Sequence, residues 1–334
     1  MRDFDPSPSV VRITIIGAGQ MGIRHLQAIA KLDRPSIVEV VDPSSTALQQ
    51  AKNSLQSMSC RGLIQKTIFS SSVTTLTKTS DVAIVSTNAA IRKSVIFELV
   101  SHKKVKFLIL EKVLFQRAGD YQEVAELLAR HGISAFVNCP YRTYSFFQKV
   151  KENLKDTILD YKYSGSFIGI GCNSIHHLDL ISFLTGEKNI RLNSAQLDAE
   201  VITSKRNGFI EFTGTLYGYT NQGSRCTITS YKHEGVPPLL QIISTKAIYL
   251  IPLMGSSALV AEAANNWRWK QVPYSMPLQS EWTHRYIQDL LDRKTCDLAT
   301  YDKSMMLHME FIRVLLSFLQ KQSPDREVSV CPIT

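Results

Sequence analysis

One short stretch constrains this chain more than any other. The β-branched run Arg12-Ile13-Thr14-Ile15-Ile16 ends abruptly in Gly17-Ala18-Gly19-Gln20-Met21-Gly22, and a helical pattern follows until Pro35, with Met21, Leu26, Ile29 and Leu32 as its apolar positions. Strand, glycine turn and helix in that order form the context in which G-x-G-x-x-G binds a dinucleotide. Gly17 permits the tight turn, Gly19 lets the backbone approach a pyrophosphate, and Gly22 lets the helix pack closely on the strand. Gln20 and Met21 then stand at a helix N-terminus, where free N–H groups and the dipole favour negative charge. The bland alternative is a glycine turn that serves packing alone.

Ile37-Val38-Glu39-Val40-Val41 reads as the second strand, and Asp42 ends it at about the 20-residue offset expected of a ribose-binding carboxylate. Asp42 would accept hydrogen bonds from both adenosine ribose hydroxyls, and its charge would repel a 2′-phosphate, so NAD is expected rather than NADP. Pro43-Ser44-Ser45 supplies no arginine for that phosphate, which leaves Lys52 or Arg61 as cations that could reach in from elsewhere. The plainer role for Asp42 is to start a turn or helix. Helices over Ser44–Leu55, Ile91–Ser101 and Gly119–Arg130 alternate with strands Val82–Ser86, Phe107–Leu110 and Ile133–Val137. This alternation predicts parallel strands with helical crossovers, an α/β Rossmann domain over residues 1–137.

Near Asn138 the rhythm changes. Thr157–Phe167, Arg191–Glu200, Gly208–Tyr217, Arg225–His233 and Leu239–Leu250 read as longer strands joined by turns such as Asn207-Gly208 and Asn221-Gln222-Gly223, with antiparallel pairing the simplest arrangement. Helices over Ser174–Leu184, Gln279–Asp292 and Asp302–Gln320 make residues 138–334 a second, α+β domain. One face of an antiparallel sheet would need cover, which suggests a homo-oligomer, a dimer or tetramer.

Composition excludes several classes. No apolar run reaches the ~18 residues of a membrane span, and Met1-Arg2-Asp3-Phe4-Asp5-Pro6 lacks the basic-then-apolar order of a signal peptide, so a soluble cytoplasmic protein is the expectation. Cys60, Cys139, Cys172, Cys226, Cys296 and Cys331 include no C-x-x-C pair, which predicts reduced thiols, no disulfide framework and no metal site. Lys and Arg exceed Asp and Glu by 38 to 29, but the excess is spread, 17 against 11 in residues 1–137 and 21 against 18 in 138–334. His102-Lys103-Lys104-Val105-Lys106 sits where a helix should end, where cations favour the dipole, and reads as a solvated face rather than a nucleic-acid site.

Four further features accompany the fingerprint: His25, Ser86-Thr87-Asn88, Glu111-Lys112, and Gly171-Cys172-Asn173-Ser174-Ile175-His176-His177-Leu178-Asp179-Leu180. Together they resemble the Gfo/Idh/MocA family, the group of glucose-fructose oxidoreductase and inositol dehydrogenase, over nearly the whole chain. The resemblance implies a Rossmann domain followed by an open, mostly antiparallel sheet that often joins subunits. It also puts Thr87, Asn88 and Glu111 on the cofactor side. Lys112 looks like the family's catalytic lysine beside the nicotinamide, where an ammonium stabilises an alkoxide-like transition state. His176 matches the second acid or base, and Asp179, three residues on, matches a carboxylate on the same helix face. His177 points elsewhere, since adjacent helical residues diverge.

Three positions depart from the family pattern. Val113 stands where proline usually follows the lysine, and Arg92, equally readable as a surface residue, stands where relatives often carry histidine. Cys172 replaces the usual catalytic aspartate four residues before His176, and a thiol supports an imidazolium only if it ionises. Either Lys112 and His176 work without that acid, or the substrate differs, or redox activity is lost. Arg142, after Asn138-Cys139-Pro140-Tyr141, could clasp a carboxylate or phosphate, which suggests an anionic sugar as the small-molecule substrate.

The leading expectation is therefore an NAD(H)-dependent oxidoreductase acting on a hydroxyl or carbonyl carbon of a sugar, nucleotide sugar or cyclitol. The alternatives are a cofactor-binding regulatory or scaffold protein without turnover, and net non-redox chemistry with internally recycled NAD.

Overall fold

The computed structural model describes residues 10–58 and 62–334; the opening Met1–Pro6 segment, Cys60 and Arg61 lie outside the described residues. The chain forms two compact units. In the first, β1 (Val11–Ile16), α1 (Gln20–Ile29), β2 (Ser36–Val41), α2 (Ser45–Gln56), β3 (Ile64–Ser70), β4 (Thr79–Val85), α3 (Arg92–His102), β5 (Lys104–Leu110), α4 (Ala118–Arg130) and β6 (Ser134–Val137) follow one another. The strands pair in parallel in the order β6-β5-β4-β1-β2-β3. The order reverses between β1 and β4, so the carboxyl ends of these two strands open the crevice in which doubly wound sheets bind ligands. β3 was not expected from the sequence. It is an edge strand whose side chains are only partly covered, so its pattern lacks the continuous apolar run of the buried strands.

The second unit holds α5 (Ser145–Asn153), β7 (Asp160–Ser166), α6 (Ile170–Thr185) and β8 (Ile190–Leu197). Next come β9 (Ile202–Thr203), β10 (Ile210–Glu211), β11 (Gly214–Thr220) and β12 (Arg225–Tyr231). β13 (Leu239–Ile243), β14 (Ala247–Pro252), β15 (Ser257–Glu262) and β16 (Trp269–Pro273) complete its strands. Eight of them form one sheet, β16-β15-β14-β13-β7-β12-β11-β8. Every pair is antiparallel except β7 with β12, which is parallel, so the sheet is mixed. Tyr161, Tyr163, Cys226, Ile228, Leu240, Ile242, Tyr249 and Ile251 are buried at alternate positions, as one covered face requires. The strand expected over 239–250 is a hairpin, because the Ser244 hydroxyl accepts the N–H groups of Lys246 and Ala247, both at 3.1 Å, and turns the chain. α5, β15 and β16 were not anticipated; β16 is exposed along almost its whole length and carries no alternation to read.

α7 (Gln279–Arg293) and β17 (Ala299–Thr300) return to the first unit, whereas α8 (Tyr301–Gln322) lies almost wholly in the second. β17 pairs antiparallel with β6, and Tyr286, Ile287 and Leu290 of α7 enter the core around Ile15, Leu26 and Ile29. A single cut near Asn138 is therefore replaced by interleaved units, since α7 buries its apolar stripe on the Rossmann core. Among the described residues no helix is long and apolar enough to cross a membrane.

The basic cluster after α3 is not simply a solvated face. Lys103 is buried, and its Nζ donates to Glu39 Oε2 at 2.6 Å and to the Thr77 carbonyl and hydroxyl. Glu39 also accepts from the hydroxyls of Thr14 and Thr77 and from the Thr77 N–H. Burial raises the Glu39 pKa, but Lys103 and Thr77 outweigh it and hold the carboxyl below its ordinary 4.5. The pair's contribution to stability is thus complete above pH 4.5 and is lost as pH falls through the lower folded value. Lys103→Met should cost about 3–5 kcal/mol in denaturant unfolding, because a buried charge is left without its partner. Adding Glu39→Gln should recover most of that loss; equal loss in the single and double variants would contradict the assignment.

Candidate active site

The glycine loop meets the steric demands set for it. Gly17 has φ +97°, and a Cβ there would come within 3.0 Å of Ser86 and Thr87 backbone atoms. A Cβ on Gly22 would stand 1.8 Å from the Gly17 carbonyl oxygen, so only glycine lets α1 begin this close to the strand. Gly19, the N-cap of α1, caps with no side chain and meets no atom within 4 Å at its Cβ position, leaving its approach open to a ligand.

A cavity of about 380 Å³ opens at this point, at the ends of β1 and β4. Gly17, Gly19, Asp42, Ser72, Thr87 and Asn88 are among its walls. Asp42 Oδ2 accepts the Ala18 N–H at 2.8 Å and Oδ1 accepts the Ser44 N–H at 2.9 Å. The carboxylate therefore stiffens the glycine loop and keeps one lone pair on each oxygen for a further donor. The α2 N-cap is Ser44, which accepts from Ala47 N–H, and so the helix-starting role falls to Ser44. The Thr87 hydroxyl is buried in the cavity wall without a partner, an orphan that a polar ligand would satisfy. Asn88 Oδ1 accepts from Ala90 and Ile91 N–H groups and shapes the entry to α3.

The cavity's charged lining consists of Asp42 and Glu98, with no lysine or arginine among the described residues. Lys52 is exposed and lies outside the lining. These groups fit a dinucleotide, with ribose at Asp42, pyrophosphate at the uncapped α1 N-terminus and a polar group at Thr87. Ser71, Ser72, Val73 and Glu98 escaped the sequence reading. The first three follow β3, whose β-branched Ile64, Thr67 and Ile68 were the available signal.

Gln20, Met21 and Glu111 do not line this cavity. Glu111 is buried, where its Oε1 accepts from Asn138 Nδ2 at 2.5 Å and lies 3.0 Å from His25 Nε2. His25 Nδ1 pairs with Thr283 on α7 at 2.9 Å, which joins α1, α7 and the end of β5 in one buried polar network. Arg92, readable as a surface residue, is instead buried and donates to the Thr87 carbonyl, which fixes one wall of the cavity.

A second cluster lies within the second unit. Lys112 Nζ donates to the Cys172 carbonyl at 2.9 Å, in the first turn of α6, one turn before His176. Burial, then the charge of Lys112, pushes His176 well below its usual 6.5, and His176 Nδ1 has no partner among the described residues. Lys112 and His176 are thus electrostatic neighbours, and the imidazole is neutral at neutral pH. The Cys172 thiol is pushed up to about 12 by burial and by Glu211, so it is protonated and supplies no negative charge. Glu211, which sequence reasoning missed, accepts the N–H groups of Gly171 (2.6 Å) and Cys172 (2.9 Å) and holds a carboxylate at the α6 N-terminus. Nothing in its local sequence marks it, since a two-residue strand brings it there.

His177 serves the core: its ring stacks on Tyr163 at 3.6 Å and Nδ1 pairs with the Tyr161 hydroxyl at 2.6 Å. Burial lowers its pKa to about 3. Arg142 Nη1 donates to Asp179 Oδ1 at 3.2 Å, so these two candidates hold each other, although burial raises the Asp179 carboxyl to about 6. The five described cysteines are free thiols, and no group of three or more His, Cys, Asp or Glu gathers as a metal site among the described residues.

Comparison with known proteins agrees with this architecture. No curated protein matches the chain. Among solved structures, UDP-N-acetylglucosamine 3-dehydrogenase GnnA from Acidithiobacillus ferrooxidans superposes with TM-score 0.69 at 14% identity, covering 93% of this chain and 99% of that one. An oxidoreductase from Agrobacterium radiobacter in complex with NAD+, L-tartaric acid and magnesium gives 0.70 at 14%, covering 95% and 97%. The super-repressor mutant of Gal80p from Saccharomyces cerevisiae gives 0.69 at 14%, covering 94% and 97%. At these identities the likeness establishes the fold. Residues 11–139 match the Gfo/Idh/MocA model, described as oxidoreductase family, NAD-binding Rossmann fold, so the first part of the chain is similar to the NAD-binding domain of that family.

Proposed function

We propose that the chain is an NAD(H)-dependent oxidoreductase acting at a hydroxyl or carbonyl carbon of a sugar, nucleotide sugar or cyclitol. The observation that carries this reading is the pairing in one cluster of a Lys112 ammonium with a neutral His176. Bound NAD supplies a hydride acceptor, and its reduced form a donor. In the oxidative direction the substrate carbon loses a hydride, its hydroxyl loses a proton, and a carbonyl forms. Lys112 donates a hydrogen bond to the substrate oxygen and stabilises the negative charge that develops there. His176, neutral and with a free ring nitrogen, takes the proton. The protonated Cys172 leaves both to work without the carboxylate usual at that position, and Glu211 keeps the α6 first turn, and with it the carbonyl that orients Lys112, in place. Asp42 and the absence of cations in the described lining support NAD over NADP. A dimer or tetramer is supported by the uncovered sheet face, on which Tyr217 and Tyr219 are 36% and 42% exposed.

The likeness to Gal80p, a repressor, together with the uncharged Cys172, favours a second reading, a cofactor-binding regulatory protein without turnover. Steady hydride exchange with a sugar would reject it.

Lys112→Met should leave NADH affinity unchanged and reduce turnover by about 10²-fold or more, measured by absorbance at the nicotinamide band with a panel of neutral and anionic sugars. Turnover undiminished in that variant would sink the assignment of Lys112. Because His176 sits well below 6.5, it is competent as a base throughout neutral pH and becomes protonated only on the acid side. The profile of kcat/KM against pH should therefore show no His176 limb between pH 6 and 7; a limb there that disappears in His176→Gln would overturn its placement.

A further inference from the structure

A second cavity, of about 220 Å³, lies entirely within the second unit, between α5, the latter half of α6 and the start of α8. Its charged walls are Arg142, Lys151, Lys188 and Lys303, opposed by the single carboxylate of Asp179. Asp179 is taken up by Arg142, and among the described residues no carboxylate pairs with any of the three lysines. Phe183 is among the lining residues, and the Arg142 guanidinium lies 5.0 Å and the Lys151 ammonium 4.1 Å from its ring centroid, so one aromatic ring gathers two cations.

Helix dipoles account for only part of this gathering. Lys151 is in the last turn of α5 and Lys188 follows the Gly186 cap of α6, positions where carbonyl ends favour cations. Lys303 stands in the first turn of α8, where the dipole disfavours a cation and favours an anion. Burial, then the charges of Arg142 and Lys303, lower the Lys151 pKa, so neighbouring cations add to the cost of its charge.

We propose that this cavity is a binding site for a phosphate-class oxyanion, held by Lys151, Lys188 and Lys303 over the Phe183 ring with Arg142 completing the cationic wall. A multiply charged oxyanion is the ligand that offsets the charges of Arg142 and Lys303 acting on Lys151 and can accept from the lysines that line the cavity. The anion is either part of a phosphorylated sugar substrate or a free effector, and the site stands whether or not hydride transfer does.

The test is calorimetric titration of inorganic pyrophosphate and of glucose 1-phosphate into the wild-type chain, Lys151→Met and Lys303→Glu. Wild type should bind at least one of them saturably, more weakly as salt rises, and each variant should lose about tenfold or more in affinity, the scale of a charge-assisted hydrogen bond. NADH binding and the thermal midpoint should stay unchanged in both variants, which separates loss of the site from loss of the fold. Tighter binding of glucose 1-phosphate than of pyrophosphate assigns the anion to the substrate; the reverse order assigns it to a free effector. Absence of saturable binding of either anion, or affinity undiminished in both variants, would overturn the proposal. Neither outcome depends on turnover, so failure of this site and failure of the redox reading are separately visible.

Discussion

Everything about the first unit depends on how closely α1 starts beneath the end of β1. The Gly22 Cα position lies so near the Gly17 carbonyl that any side chain would drive helix and strand apart. This approach aims the uncapped α1 N-terminus into the crevice between β1 and β4. Asp42 then locks the turn from the neighbouring strand by accepting the Ala18 N–H, so the group expected to recognise ribose also stiffens the loop beside it. Binding and folding share these residues, and a defect in the turn would reach both.

In the second unit a lysine and a neutral imidazole lie together near the start of α6. Lys112 is held by a backbone carbonyl rather than by a carboxylate, so its positive charge is directed without being neutralised. Burial, and then that charge, keeps His176 unprotonated at neutral pH. The carboxylate nearest this turn, Glu211, is spent on the N–H groups of Gly171 and Cys172. With the Cys172 thiol protonated, the turn carries no charge of its own there, and its frame is supported from β10.

Much of this was legible in the sequence because it is local. The glycine loop, Asp42 and the β1–α1 junction fall within one β-α-β segment, Lys112 follows soon after the apolar run of β5, and His176 lies within α6. What escaped was non-local or partly exposed. Glu39 and Lys103 are 64 residues apart, and nothing near Lys103 tells a buried pair from a solvated cluster. Arg92 was unreadable for another reason: its partner, the Thr87 carbonyl, is a backbone group only five residues away that no side-chain pattern marks. Glu211 rests on a two-residue strand, and α7 joins the first unit through packing that no composition change announces. The 239–250 hairpin was missed because one serine hydroxyl, rather than a glycine or proline, turns the chain.

The most direct measurement is a titration of NADH and NADPH, followed by energy transfer from Trp267, Trp269 and Trp282 and checked by calorimetry. NADH should bind about tenfold or more tightly than NADPH, because Asp42 and Glu98 line the cavity and none of its described lining residues is a lysine or arginine that could offset them against a 2′-phosphate. Asp42→Ala should erase most of that preference. Equal affinity for the two cofactors would contradict the role given to Asp42, and binding of neither would contradict the dinucleotide site itself.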